Sequence, residues 1–409
     1  MSGRKIVVIG GSVPGIMLAI ICARHAVLVL EESASTFSMD SRAGCMLGPY
    51  AKKMFEHHIP SPELLSTAIS NQELLSIISI DGHIKQHMSY VIGDDYPMST
   101  TNWGAVYQAL TQAFDARSSS ETDVWGAATV NLRTGVKVIS AESREGAWEV
   151  TYDIGGTERI VTADILVGAD GSNSIMRSLV SSDRKSGYAG YSAWLGMVPD
   201  TMDLPAELDG ILDGKLIWVN MPKHYISMYA IPCKDRSGSC NRGKHVEFCW
   251  YFKYDRDSPE LESIMTDFEG LKRNGTDAPD CQRAEAWRYH LNKMLSDVPL
   301  SFKPIFLGCE TPRVAKITSV VEEDASHYNG KLVLIGDAFS QFPPHLGGSF
   351  DVAAMQAITL KDLLENADME PKDWNDWVVE YAQNTVRYSV DVGEYGMMDC
   401  DSVAATAID

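Results

Sequence analysis

The chain has 409 residues, enough for more than one domain-sized unit and a sizeable core. Apolar residues make up 45% and charged residues 22%, an ordinary balance for a folded enzyme, while a formal charge of −20 argues against nucleic acid or an anionic membrane as partner. No window approaches the roughly 18-residue apolar run of a membrane-spanning helix, the N-terminus lacks the apolar stretch of a signal peptide, and none of the eight cysteines forms a C-x-x-C pair. The expectation is a cytoplasmic protein with reduced thiols, no zinc site and no redox dithiol.

In chain order, Lys5–Ile9 (KIVVI) reads as a buried strand, Pro14–Arg24 as a helix after a glycine-rich turn, and Ala26–Leu30 (AVLVL) as a second buried strand, together a βαβ unit. Residues 118–122 are a polar, low-complexity surface loop. Residues 136–163 alternate strands with Gly and Asp turns, and strand-like runs from Ala189 to Tyr254 predict one antiparallel sheet. Helices are expected over Ala284–Leu295, Phe350–Asn366 and Asp373–Tyr388, with a strand at Lys331–Ile335. Trp374, Trp377 and Tyr381 share one face of the last helix and are assigned to core packing.

Three turns carry the candidate chemistry. The first, Gly10-Gly11-Ser12-Val13-Pro14-Gly15, is a variant G-x-G-x-x-G. Gly10 allows a tight turn, small Ser12 lets backbone approach a pyrophosphate, and Gly15 lets helix and strand pack closely. The helix N-terminus then offers N–H groups to phosphate. Glu31 follows 21 residues after Gly10, the distance at which a carboxylate meets an adenosine ribose. The second turn places Asp170-Gly171 at a strand end, with Ser174 and Arg177 on the helix that follows. The third is Gly336-Asp337, followed by Pro343-Pro344-His345, then Gly347-Gly348 and a helix opening at Ser349, Phe350 and Asp351. Asp337 can bind a sugar-alcohol hydroxyl, and the new helix N-terminus can stabilise negative charge on a ring system.

In this order the three turns resemble the dinucleotide-binding, D-G and G-D motifs of the class A FAD-dependent monooxygenases, the para-hydroxybenzoate hydroxylase fold superfamily. D-G-x-x-S-x-x-R is complete in Asp170, Gly171, Ser174 and Arg177. Tyr188–Gly196 resembles the Y-A-G-Y-x-x-W-R-G segment of the 2,6-dihydroxypyridine 3-monooxygenase-like branch, with Leu195 in place of the arginine. The sequence departs elsewhere too: Glu32 replaces an arginine after the second strand, Phe339-Ser340 replaces A-H in the third motif, and Asn102-Trp103 stands where an arginine is usual.

The resemblance implies an α/β fold: a Rossmann-type FAD-binding domain (1–70, 98–183 and 305–366) interleaved with an antiparallel-sheet substrate domain (71–97 and 184–304), then C-terminal helices (367–409). It implies that Gly10, Ser12, Val13, Pro14, Gly15, Glu31 and Glu32 hold the ADP half of FAD, with Arg42 beside the pyrophosphate and the nicotinamide cofactor. Asp170, Gly171, Gly336 and Asp337 would hold the middle of the cofactor, and Gly347, Gly348, Ser349, Phe350 and Asp351 the flavin ring, with Pro344 on its reactive face. The implied reaction uses NADPH or NADH and O2 to hydroxylate or epoxidise a small aromatic or unsaturated metabolite through a flavin hydroperoxide, within secondary metabolism, in a monomer or homodimer. A non-oxygenating flavoprotein (oxidase, reductase or cyclase) is the alternative on the same fold. His345 is the first titratable residue to test, and His224, Tyr225, Tyr229 and Trp250 are further candidates on the sheet segments.

Overall fold

The computed structural model describes residues 3–34, 43–91, 98–118, 130–181, 187–199, 208, 211–232, 244–266, 269–272, 284–310 and 312–398. Arg42 and most of the 118–122 loop lie outside them.

Apart from the exposed Lys5, the strands Lys5–Ile9 and Ala26–Leu30 are apolar because they are covered on both faces. They are central strands of a six-stranded sheet. Parallel pairing runs from Leu332–Leu334 through Ile165–Gly168, Lys5–Ile9 and Ala26–Leu30 to Val130–Arg133, and Ser326–His327 closes one edge antiparallel. The Val13–Ile21 helix packs between this sheet and the Ser349–Glu365 helix. The expected alternation over 136–163 is a three-stranded meander, Val136–Arg144, Ala147–Ile154 and Thr157–Ala163. Its hairpins turn on Glu145-Gly146 and Gly155-Gly156, all four with positive φ, as a tight right-twisted hairpin requires.

The second large sheet has eight strands. In spatial order they are Ser340–Gln341, Arg313–Val321, Gly187–Pro199, Lys244–Lys253, His224–Pro232, Lys215–Met221, Glu73–Ile80 and His83–Val91. All neighbours pair antiparallel except Lys215–Met221 with Glu73–Ile80, so the expected antiparallel sheet gains one parallel step. The edge strand His83–Val91 is mostly exposed, whereas both faces of the central strands are buried. One, carrying Trp194, Phe248 and Trp250, lies under the Pro259–Ile264, Ala284–Met294 and Lys303–Leu307 helices. The other, carrying Tyr191, Leu195, Tyr225, Cys249 and Tyr251, looks towards the 344–350 segment and the C-terminal helix.

That C-terminal helix spans Pro371–Gly396, longer than the expected Asp373–Tyr388. The extension contains Val390, Val392 and two glycines, which weaken an isolated helix. Tertiary packing overrides that weakness: a Cβ on Gly393 would strike the His345 ring, and one on Gly396 the Tyr225 ring. Trp374 is buried and Tyr381 half-buried, whereas Trp377 is exposed, so the aromatic stripe is core only at its two outer positions. Cys22, Cys45, Cys249 and Cys309 are buried free thiols.

Candidate cofactor and substrate site

The first turn is built for a close approach. Gly10 has φ +103°, and a Cβ there would come within 2.6 Å of the Ala169 carbonyl carbon. A Cβ on Gly15 would run into the carbonyl oxygen of Gly10. Ser12 caps the helix without a side-chain bond, and Pro14 has no N–H, so the first-turn amides of Val13 and Gly15 stay available to an anion. Glu31 braces the turn by accepting from the amides of Gly11 (2.6 Å) and Ser33 (2.8 Å), and keeps lone pairs for hydroxyl donors. Tyr107 donates to the Gly11 carbonyl (3.0 Å), and Trp103 stacks on its ring at 5.0 Å. Glu32 is exposed on the rim.

At the second turn the Asp170 carboxylate accepts from the amides of Ile175 (2.7 Å) and Met176 (3.2 Å) and from the Ser174 hydroxyl (2.5 Å). It is therefore engaged in capping its own helix, while Gly171, at φ +76° with open space around it, faces outward. Arg177 ties this turn to the third, donating to the backbone carbonyls of Asp337 (3.2 Å) and Ala338 (3.4 Å). At the third turn, Gly336 has φ +60° and abuts Pro14 of the first. The Asp337 side chain opens to the cleft but is otherwise ringed by protein; that burial pushes its pKa up, and the Arg177 charge pulls it partly back. Among the described residues no hydrogen bond reaches its carboxylate. Residues Ser12–Pro14, Gly171, Asp337 and Phe350 border one cavity of about 240 Å³.

A second cavity, of about 450 Å³, shares Ser349 and Phe350 with the first. Pro344, His345 and Gly347 form one wall and the inner face of the eight-stranded sheet the other. Two rows of side chains cross that face by register: Arg313, Leu195, Cys249, Ser227 and Trp218, then Met197, Glu247, Tyr229 and Leu216. Burial pushes the Cys249 thiol up to about 12 and Cys45 well above its usual range, so both stay neutral and extend the apolar wall. Asp351, buried at the start of the Ser349–Glu365 helix, accepts from the Ala51 amide (2.9 Å), leaving the neighbouring first-turn amides to the cavity.

His345 sits between two tyrosines. Tyr191 Oη lies 2.8 Å from Nε2, and Tyr225 Oη is hydrogen-bonded to Nδ1. Burial lowers its pKa to about 3, so the ring is neutral near pH 7. A neutral imidazole has one donor and one acceptor nitrogen, so the two tyrosines play opposite roles. Of the other sheet candidates, Tyr229 borders the cavity, but His224 and Trp250 do not: they point to the opposite face, where the Trp250 indole donates to His224 Nδ1 (3.1 Å) and His224 Nε2 meets Asp297 (3.1 Å).

The FAD binding domain-like family matches residues 188–319. The 2,6-dihydroxypyridine-3-hydroxylase of Arthrobacter nicotinovorans superposes with a TM-score of 0.80 at 19% identity, covering 97% of this chain and 93% of that one. The chain has the fold of the class A FAD-dependent monooxygenases. Klebsiella pneumoniae HpxO, solved with FAD and uric acid, shares this fold (TM-score 0.68, 14% identity, 96% and 89% covered). In sequence, 3-hydroxybenzoate 6-hydroxylase of Klebsiella oxytoca is 25% identical over 229 residues, 54% of this chain and 53% of its own. Kynurenine 3-monooxygenase of Salinispora tropica is 31% identical over 169 residues, 37% and 36%. The chain thus spans about half or less of the length of the relatives it matches in sequence. Among the described residues no helix is long and apolar enough to cross a membrane.

Sequence reasoning missed Arg313, Glu247, Trp218 and Tyr191 as site residues. Each sits in a strand whose two faces are both buried, so alternation alone does not mark which face borders a cavity.

Proposed function

We propose that this chain is an FAD-dependent monooxygenase that uses NADPH or NADH and O2 to hydroxylate or epoxidise a small aromatic or unsaturated molecule. The observation that carries the reading is the meeting of three turns, from residues 10–15, 170–171 and 336–337, around one cavity that adjoins a larger apolar one. The residues fit FAD: glycines that let the first turn close tightly, a Gly171 left bare towards the cavity, two helix N-termini with uncommitted amides, and an Asp337 carboxylate still lacking a donor. In this reading Gly10, Ser12, Val13, Pro14 and Gly15 cradle the pyrophosphate and Glu31 the ribose. Gly171, Gly336 and Asp337 hold the ribityl chain, and Gly347–Asp351 present backbone amides to the ring edge. Asp170 serves by fixing Gly171. Residues 71–97 and 184–304 would form the substrate domain, a division supported by the Glu73–Ile80 strand joining the eight-stranded sheet.

Bound and reduced FAD supplies oxygen activation and transfer of one oxygen atom. The chain's own residues exclude water from the larger cavity, through Met46, Leu195, Leu216 and Trp218, and orient the substrate against Pro344. His345 holds its proton on one ring nitrogen and presents a neutral, fixed dipole.

Two outcomes follow. Asp337→Ala should weaken FAD binding by about tenfold, the worth of a charge-assisted hydrogen bond, measured by flavin fluorescence after dialysis. His345→Ala should retain FAD and reduce NAD(P)H-driven turnover by about tenfold or more; unchanged steady-state kinetics would remove it from the site. Label from ¹⁸O₂ in the product, using a panel of phenols, indoles and polyenes, tests the reaction itself. Turnover without label would instead identify an oxidase, reductase or cyclase.

A further inference from the structure

We infer that Arg313 is the anchor for an anionic oxygen of the substrate, so that the larger cavity selects a flat, apolar molecule bearing a carboxylate, phenolate or enolate oxygen. This deepens the proposed function, because it takes that cavity to be the substrate site. Arg313 borders the cavity with its side chain only 16% exposed. A guanidinium carries five N–H donors in a planar fork. Among the described residues none of them makes a hydrogen bond, and the nearest charged partner, Glu247 Oε1, lies 3.9 Å from Nη2.

Glu247 does not complete the pair, because it has another task. Its Oε2 accepts from the Gly44 amide at 2.5 Å, and Gly44 is held so close that a Cβ there would overlap the carboxylate. Glu247 thereby fastens the Gly44–Leu47 strand to the sheet, leaving the guanidinium fork underused. A largely buried cation with open donors, beside a cavity whose wall is mainly apolar and whose lining carboxylate, Glu247, is turned to the Gly44 amide, is a costly arrangement that a ligand oxygen would relieve. Because the chain carries a formal charge of −20, an anionic ligand depends on a local cation such as Arg313 to be held. Leu195, directly across the strands from Arg313, supplies no competing polar group.

The test uses the purified full-length protein as isolated, with cinnamate and its neutral isostere cinnamamide as probes. Binding is read by calorimetry and by quenching of tryptophan fluorescence, since Trp218 borders the cavity. Wild type should bind cinnamate about ten- to a hundredfold more tightly than cinnamamide, the range of a desolvated charge-assisted pair. Arg313→Gln should abolish that preference by lowering cinnamate affinity far more than cinnamamide affinity, and Arg313→Lys should keep part of it, because charge survives without the fork. Circular dichroism melts identify any variant that fails to fold; if Arg313→Gln does so, Arg313→Lys decides, and an undiminished preference in it would count against the fork. Equal binding of the two probes, binding of neither, or a preference intact in Arg313→Gln would overturn the inference. Wild type that prefers cinnamate but never binds FAD would reject the flavoenzyme reading and leave the anion anchor standing.

Discussion

Gly15→Ala should purify without flavin and melt several degrees lower than wild type. The added methyl has no room: it would overlap the carbonyl oxygen of Gly10 and press on the Val8 side chain at 3.3 Å. Relief requires the Val13–Ile21 helix to withdraw from the Lys5–Ile9 strand, at a cost of about 3 kcal/mol where a packed core is overfilled. Withdrawal also moves the first-turn amides of Val13 and Gly15 away from the position at which they can hold phosphate, so cofactor affinity falls together with stability. Gly156→Asn is the matched control. Gly156 also has positive φ (+81°), but it lies on a hairpin with open space around it, and asparagine tolerates that backbone region. This control should stay yellow. A fully flavinated Gly15→Ala protein would show that the pyrophosphate lies elsewhere.

The second large effect is acid sensitivity. His345 and His290 are both buried, and burial lowers each pKa to about 3. For His290 the neighbouring His224 and Lys293 contribute further, and its Nε2 has no partner among the described residues. A histidine whose folded pKa lies below its unfolded value of ~6.5 binds its proton first in the unfolded chain. Stability therefore falls as pH drops from about 6.5 towards 3, and the two rings together should remove about 4 kcal/mol between pH 7 and pH 5. Asp337 and Asp351, whose pKa values burial raises, act in the opposite sense: their folded forms keep a proton that the unfolded chain has released. Denaturant unfolding of wild type and His290→Gln at the two pH values separates these contributions. The variant should lose about half of the histidine-driven pH dependence, and an unaltered difference would mean that His290 is not held neutral.

Much of the geometry of the three turns was legible in the sequence because turn chemistry is local. Gly10, Gly171 and Gly336 all adopt positive φ, and each is followed by residues that begin a helix or a tight turn. A few neighbouring side chains decide such geometry, so a single motif carries it. The wall of the larger cavity was less legible. Arg313 and Glu247 come from strands far apart in the chain, and only the register through Leu195, Met197 and Cys249 brings them to one face. His224 and Tyr225 are adjacent, yet one is buried under the helical layer and the other beside His345; a sheet apolar on both faces gives no sequence cue as to which side holds the cavity. The last turns of the C-terminal helix were missed for a related reason, since their valines and glycines suit contacts with His345 and Tyr225 rather than intrinsic helicity. Arg42 lies outside the described residues.

The parallel pairing of Glu73–Ile80 with Lys215–Met221 has a consequence for biosynthesis. The earlier strand leaves the ribosome long before its partner exists, and it bears Leu74, Leu75, Ile77 and Ile78, an apolar ribbon whose natural cover is still untranslated. During that interval the nascent chain must shelter the ribbon with the His83–Val91 hairpin arm alone or with a holdase, so yield in a foreign host should track translation speed and chaperone supply more closely than the stability of the finished molecule.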